Sequence, residues 1–150
     1  MIPDFVNIFT SDGYRVLPEG IWEVTIEEIE KKLLFSPRRI ELFEKLKKAL
    51  SDLKTIGCKC VFIDGSFVTD KILDNKSDID VCFDETDIDW SNLQIFHPIF
   101  LEEGKRQKYV YECEFYAAYS KELNYNILFI DFFQQIKSTK LKKGILKLKL

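Results

Sequence analysis

Apolar positions recur along this chain with two periods, and the switches between them mark its elements. Ile40, Phe43, Leu46, Leu50 and Leu53 return at spacings of three and four, which predicts a long amphipathic helix. Ser36 precedes it as an N-cap, Pro37 fits its first position, and Gly57 suits the left-handed conformation that ends it. A shorter helix is predicted from Thr25 to about Leu34, with Thr25 as N-cap and Glu28 at the capping-box position. An apolar run then predicts a strand from about Cys58 to Ile63. A second strand, Asp78 to Phe83, follows the turn Asp74-Asn75-Lys76-Ser77.

The rest of the chain is read with the same rules. Phe67 to Leu73 reads as a short helix and Asp84 to Asp89 as an acidic loop. Trp90 to Phe100 is ambiguous, with Pro98 excluding a regular central strand. After the charged stretch Glu102 to Lys108, a strand is predicted from Tyr109 to Ala117, where Tyr111, Cys113 and Phe115 alternate with Glu112, Glu114 and Tyr116. Asn124 can begin another helix, although Ile127 to Phe133 also fits a strand. Gly144 to Leu150 alternates cleanly and reads as a final edge strand whose Lys147 and Lys149 discourage association between sheets. Met1 to Gly20 reads as an extended arm. The order of elements predicts an α/β (α+β) fold, a mixed sheet flanked by helices, with residues 1–24 as an arm packing on a domain of residues 25–150.

Composition narrows the class. At 150 residues, 46% hydrophobic and 31% charged, the chain suits one globular domain. No apolar run approaches the roughly 18 residues of a membrane span, and Met1 to Ser11 lacks the pattern of a signal peptide, so a cytoplasmic protein without a membrane partner is expected. A net charge of -3 argues against a general nucleic-acid coat protein, although six lysines and no acid fall between Lys137 and Leu150. Cys58, Cys60, Cys82 and Cys113 lie in apolar stretches and read as core thiols; a zinc site using Cys58, Cys60 and His97 is the lesser alternative.

The chemistry concentrates between Val61 and Phe83. Gly65-Ser66 follows a strand, where a glycine lets backbone approach a phosphate and a serine can hold its oxygens. Eleven residues later, Asp78 and Asp80 share one face of a strand, and paired carboxylates of this kind suit a divalent cation. A third acid would complete a two-metal arrangement and act as base for a hydroxyl. Glu114 is the first choice, with Asp131 and Glu112 as alternatives. Lys71 follows the Gly-Ser turn and could reach a phosphate, as could Arg106 and Lys108, which read more simply as a solvated charge run. Asp64 would cap or brace the loop. Phe67 is the aromatic nearest the turn, whereas Trp22, Trp90 and the other phenylalanines read as packing.

Gly65-Ser66 with Asp78-Ile79-Asp80-Val81 resembles the signature of the nucleotidyltransferase superfamily related to DNA polymerase beta. Leu17 to Ile21, Phe35 to Arg39, Asp64 to Lys71, Phe132-Phe133-Gln134 and Lys143-Gly144-Ile145 together resemble a family of small bacterial proteins with a minimal nucleotidyltransferase-like domain. The resemblance implies Mg²⁺- or Mn²⁺-dependent transfer of a nucleoside monophosphate from an NTP to a hydroxyl. It implies Asp78, Asp80 and Glu114 as catalytic metal ligands, and Gly65, Ser66 and Lys71 on the nucleotide. The acceptor, whether protein, RNA or small molecule, stays open. The separate helical domain of larger members is not seen, which implies reliance on a protein partner, as in toxin–antitoxin modules, or on a homo-oligomer. The alternative is a catalytically weakened nucleotide-binding or protein-interaction module of the same fold.

Overall fold

Helix α1 (Ile26–Leu33) begins at a complete capping box: Glu28 N donates to Thr25 Oγ1 at 3.2 Å, and Thr25 N donates to Glu28 Oε2 at 2.9 Å. Helix α2 (Pro37–Thr55) starts at Ser36 with Pro37 in its first turn, but the buried Ser36 hydroxyl finds no hydrogen-bond partner among the described residues. Its inward stripe contains Arg39, Leu42, Phe43, Leu46, Ala49, Leu50 and Leu53. Ile40, expected on that stripe, is 48% exposed, because one residue turns the helix about 100° and Arg39 occupies the inward register instead. Gly57 has φ +96°, and a Cβ there would lie 2.7 Å from Asp87 O, so glycine is required at this reversal. The computed structural model describes residues 1–91 and 105–150. His97, Pro98 and the charged run before Lys105 lie outside the described residues, as does the side chain of Arg106.

A hairpin of β1 (Val6–Phe9) and β2 (Arg15–Val16) precedes β3 (Gly20–Val24). The main sheet combines β3 with β4 (Cys60–Asp64), β5 (Ile79–Phe83), β6 (Cys113–Ala117) and β9 (Gly144–Lys149) in the order β3-β9-β4-β5-β6. Pairs β3/β9 and β5/β6 are parallel, and β9/β4 and β4/β5 are antiparallel. Among the described residues the mixed sheet and four helices form an α+β fold, as the pattern of elements predicts. The final strand is not an edge, however. Residues 20–24, from the segment expected as an arm, pair with it from Gly20–Gly144 to Val24–Leu148, and Lys149 meets Glu23 at 2.7 Å.

Two other local expectations change. Between Gly65 and Val68 there is only one 3-10 turn, and no helix continues to Leu73. Carbonyls of Ser66, Phe67, Thr69 and Lys71 are instead held by Arg39 at 2.6–3.3 Å. Tyr109 to Tyr111 end α3 (Lys105–Tyr111) rather than beginning a strand, and the chain reverses at Glu112, whose φ is +49°. The ambiguous stretch from Asn124 divides into β8 (Ile127–Leu128), paired with β7 (Lys121–Glu122), and the one-turn helix α4 (Phe129–Phe132).

One sheet face packs against α1, α2 and α3 through Val61, Ile63, Val81, Leu146 and Leu148, forming the larger core. Cys60, Phe62, Cys82 and Ile145 point the other way, beneath Ala118, Ile130, Phe129 and Phe133. Carboxylates occupy one end of this second face. No helix among the described residues is long and apolar enough to cross a membrane.

Candidate metal centre and adjoining cavity

Strand register builds the acidic group. Asp64 pairs with Asp80 across β4/β5, and Asp80 pairs with Glu114 across β5/β6. Directly opposed residues share a face, so the three carboxylates form a row across the sheet. Asp78 stands two residues before Asp80. One carboxylate oxygen from each of Asp78, Asp80 and Glu114 lies within 4.8 Å of the others. Gly65 fixes the floor of this group: its φ is +73°, and a Cβ would collide with Asp80 Oδ2.

Such crowding has an electrostatic cost, visible in each group. Burial, followed by the Asp78 and Glu114 charges, pushes Asp80 up to about 7. Burial and Glu114 also raise Asp78. Burial acts to raise Glu114, but Lys108 and Tyr116 outweigh it and hold that group below the ordinary glutamate range. Lys108 Nζ lies 2.5 Å from Glu114 Oε1 and 3.5 Å from Asp78 Oδ2, while Tyr116 Oη donates to Glu114 Oε2 at 2.8 Å. An ammonium thus already bridges two of the three acids.

Behind the triad, Asp64 is fully buried, and burial with the Asp80 charge lifts its pKa well above the usual carboxylate range. Cys82 Sγ donates to its Oδ2 at 3.6 Å, but its Oδ1 has no hydrogen-bond partner among the described residues. The sequence reading has Asp64 capping or bracing the loop, yet it makes no side-chain cap. Lys143 supplies the opposing charge. Burial lowers its pKa, against the pull of Asp64 and Asp80.

A cavity of about 880 Å³ opens beside this row. Asp80, Gly65, Ser66 and Lys143 line it, together with the β1–β2 turn, Lys71, and the rings of Tyr125, Phe132 and Phe133. Asp80 is the member of the triad that faces it. The Lys71 ammonium sits 5.2 Å from the Tyr14 ring centroid.

The sequence-derived candidates therefore separate. Asp78, Asp80 and Glu114 converge, and Gly65, Ser66 and Lys71 line the cavity next to Asp80. Asp131 is exposed on α4, away from the cluster. The left-handed backbone at Glu112 turns it toward Arg38 and Lys45, at 3.0 and 2.5 Å, and these partners hold its pKa down to about 2. Phe67 is fully buried and stacks on Phe43 at 6.2 Å, so it offers no ligand platform. All four cysteines are buried free thiols, in keeping with core positions.

Arg39, Tyr116 and Lys143 escaped sequence reasoning as contributors to the site. Arg39 is fully buried between the Phe35 and Phe67 rings, 4.0 and 5.2 Å from their centroids, and secures the Gly65–Lys71 loop through backbone carbonyls. Its signal was present, since position 39 continues the spacing of 42, 43 and 46. Tyr116 follows Glu114 by two residues in a strand and so shares its face. Lys143 had no local signal; it arrives through the long-range placement of β9.

A mixed sheet with clustered carboxylates beside a glycine turn, one of them lining a cavity, makes this a candidate cation-binding α+β protein. The chain belongs to the family of unknown function DUF6932, which matches it over residues 8–149. No curated protein and no solved structure matches it.

Proposed function

We propose that this protein is a Mg²⁺- or Mn²⁺-dependent nucleotidyltransferase that moves a nucleoside monophosphate from an NTP to the hydroxyl of an acceptor. The observation that carries this reading is the convergence of Asp78, Asp80 and Glu114 within 4.8 Å above the Gly65–Ser66 turn. These hard oxygen donors suit Mg²⁺ or Mn²⁺, and behind them the fully buried Asp64 Oδ1 has no hydrogen-bond partner among the described residues. Asp78, Asp80 and Glu114 would hold the ion, which when bound supplies charge neutralisation on the phosphates.

The surrounding residues divide the labour. Gly65 and Ser66 offer a close backbone approach to the triphosphate, and Lys71 and Lys143 line the same cavity as point charges for its oxygens. The acceptor oxygen attacks the α-phosphorus, the bond to the α–β bridging oxygen breaks, and pyrophosphate leaves with that electron pair. Glu114 takes the hydroxyl proton, with its orientation set by Tyr116. Lys108 holds the place of a cation between Asp78 and Glu114 until one enters. Four reduced, buried thiols support a cytoplasmic setting for this activity.

The test is transfer of label from α-labelled NTPs, with Mg²⁺, into protein, RNA and small-molecule fractions of a cell extract. Label transfer by the wild type and its loss in Asp78→Asn and Glu114→Gln are expected. Binding of Mg²⁺–NTP without transfer would favour the weakened-module reading, and absence of both binding and transfer would overturn the proposal.

A further inference from the structure

We infer that the part of the cavity lining built on Tyr125 and Phe132 is a stacking platform for the base of the nucleotide, and that it accepts more than one base. This inference rests on the nucleotidyltransferase reading above, because the same cavity would hold the triphosphate beside Asp80.

Tyr125 is 63% exposed, so core burial does not account for its position. It is nevertheless fixed. Its backbone N–H donates to Glu122 Oε2 at 2.8 Å, Asn126 N donates to Glu122 O at 2.9 Å, and Asn126 adopts φ +55° to close the β7–β8 turn. The Tyr125 ring lies 5.6 Å from Phe132 with their planes tilted by 36°, which orients it without covering it. Both rings line the same cavity as Asp80, Gly65 and Lys143. A partly uncovered aromatic pair in a cavity shared with a phosphate-suited turn fits a flat heteroaromatic ring.

The aromatic series continues inward. Phe132 meets Phe133 edge-on at 5.2 Å, and Phe133 lies 5.0 Å from Tyr116, whose hydroxyl holds Glu114. Packed rings therefore join the base platform to the third acid. Of the polar residues beside the platform, Asn124 and Gln135 are exposed, and the half-buried Glu122 already accepts from Tyr125 N. Strong discrimination between bases needs buried polar groups that a wrong base would leave unpaired. Stacking on an exposed ring lacks that penalty and tolerates every base.

Calorimetric titration of the full chain in Mg²⁺ with ATP, GTP, CTP, UTP and inorganic tripolyphosphate separates the two parts of the cavity lining. Tyr125→Ala should weaken ATP binding about tenfold while leaving tripolyphosphate affinity and the thermal midpoint unchanged. Tyr125→Phe should bind like the wild type, and the four nucleotides should fall within about tenfold of one another, purines tightest. Undiminished ATP binding by Tyr125→Ala, a parallel loss of tripolyphosphate, or selection of one base by a hundredfold would overturn the platform alone. A wild type that binds neither ATP nor tripolyphosphate would overturn the nucleotidyltransferase reading and the platform together.

Discussion

On the helix side of the main sheet, Val61, Ile63, Val81 and Leu146 are wholly buried among apolar side chains from α1 and α2. On the other side of the same strands stand Asp64, Asp80 and Glu114, three acids in one cross-strand row. The first face lowers the free energy of the chain by removing apolar surface from water. The second raises it, lifting the Asp80 pKa to about 7 and leaving a buried Asp64 oxygen without a hydrogen-bond partner among the described residues. Such a conflict between local groups and overall stability supports the proposed metal centre.

Substitutions on the two faces should accordingly move stability in opposite directions. The largest effect belongs to the helix side: Phe43→Ala removes a fully buried ring stacked on Phe67 and should cost about 3–5 kcal/mol in urea unfolding. A cost below about 1 kcal/mol would show that this face does not dominate stability.

Asp80→Asn should act with the reverse sign. Unfolded, this carboxyl ionises near 3.8; folded, near 7. Its ionisation therefore disfavours the native state increasingly as pH rises through that window, and costs nothing below it. At pH 8 and without divalent cation the substitution should stabilise by up to about 4 kcal/mol, and below pH 4 the advantage should vanish. Thermal melts across this range would measure it, and a pH-independent difference would remove the electrostatic explanation.

The smallest effect concerns Lys108, whose ammonium competes for the same carboxylates as a metal. Lys108→Met should tighten Mn²⁺ binding about threefold, the scale of an exposed ion pair. Paramagnetic titration would measure it, and weaker binding would mean that this lysine assembles the triad rather than occupying it.

Local signals made much of this legible from sequence. The capping box at Thr25 and Glu28, the Ser36-Pro37 start and the Gly57 reversal depend on neighbours within a few residues, and the structure follows them. The triad was partly readable: alternation puts Asp78 and Asp80 on one face and made Glu114 the first choice of third acid, but Glu112 shares the predicted face and Asp131 stayed open until the structure brought Glu114 to the pair. The order of strands was not readable. Periodicity tells which face a residue takes but not which strand lies beside it, so β9 passed for an edge and Lys143 for part of a basic tail. Arg39 was overlooked for another reason: hydrophobic spacing counts only apolar residues, and a guanidinium can take an inward position when backbone carbonyls accept its protons.

The inner position of β9 also bears on how the molecule is made. Residues 144–149 insert between a strand that begins at Gly20 and one that begins at Cys60. During synthesis those two strands emerge early and wait, each with an unsatisfied border, until translation passes residue 149. Until residues 144–149 are in place those borders stay open to pairing with other chains, and interruption short of that point would leave a half-built sheet for chaperones or proteases.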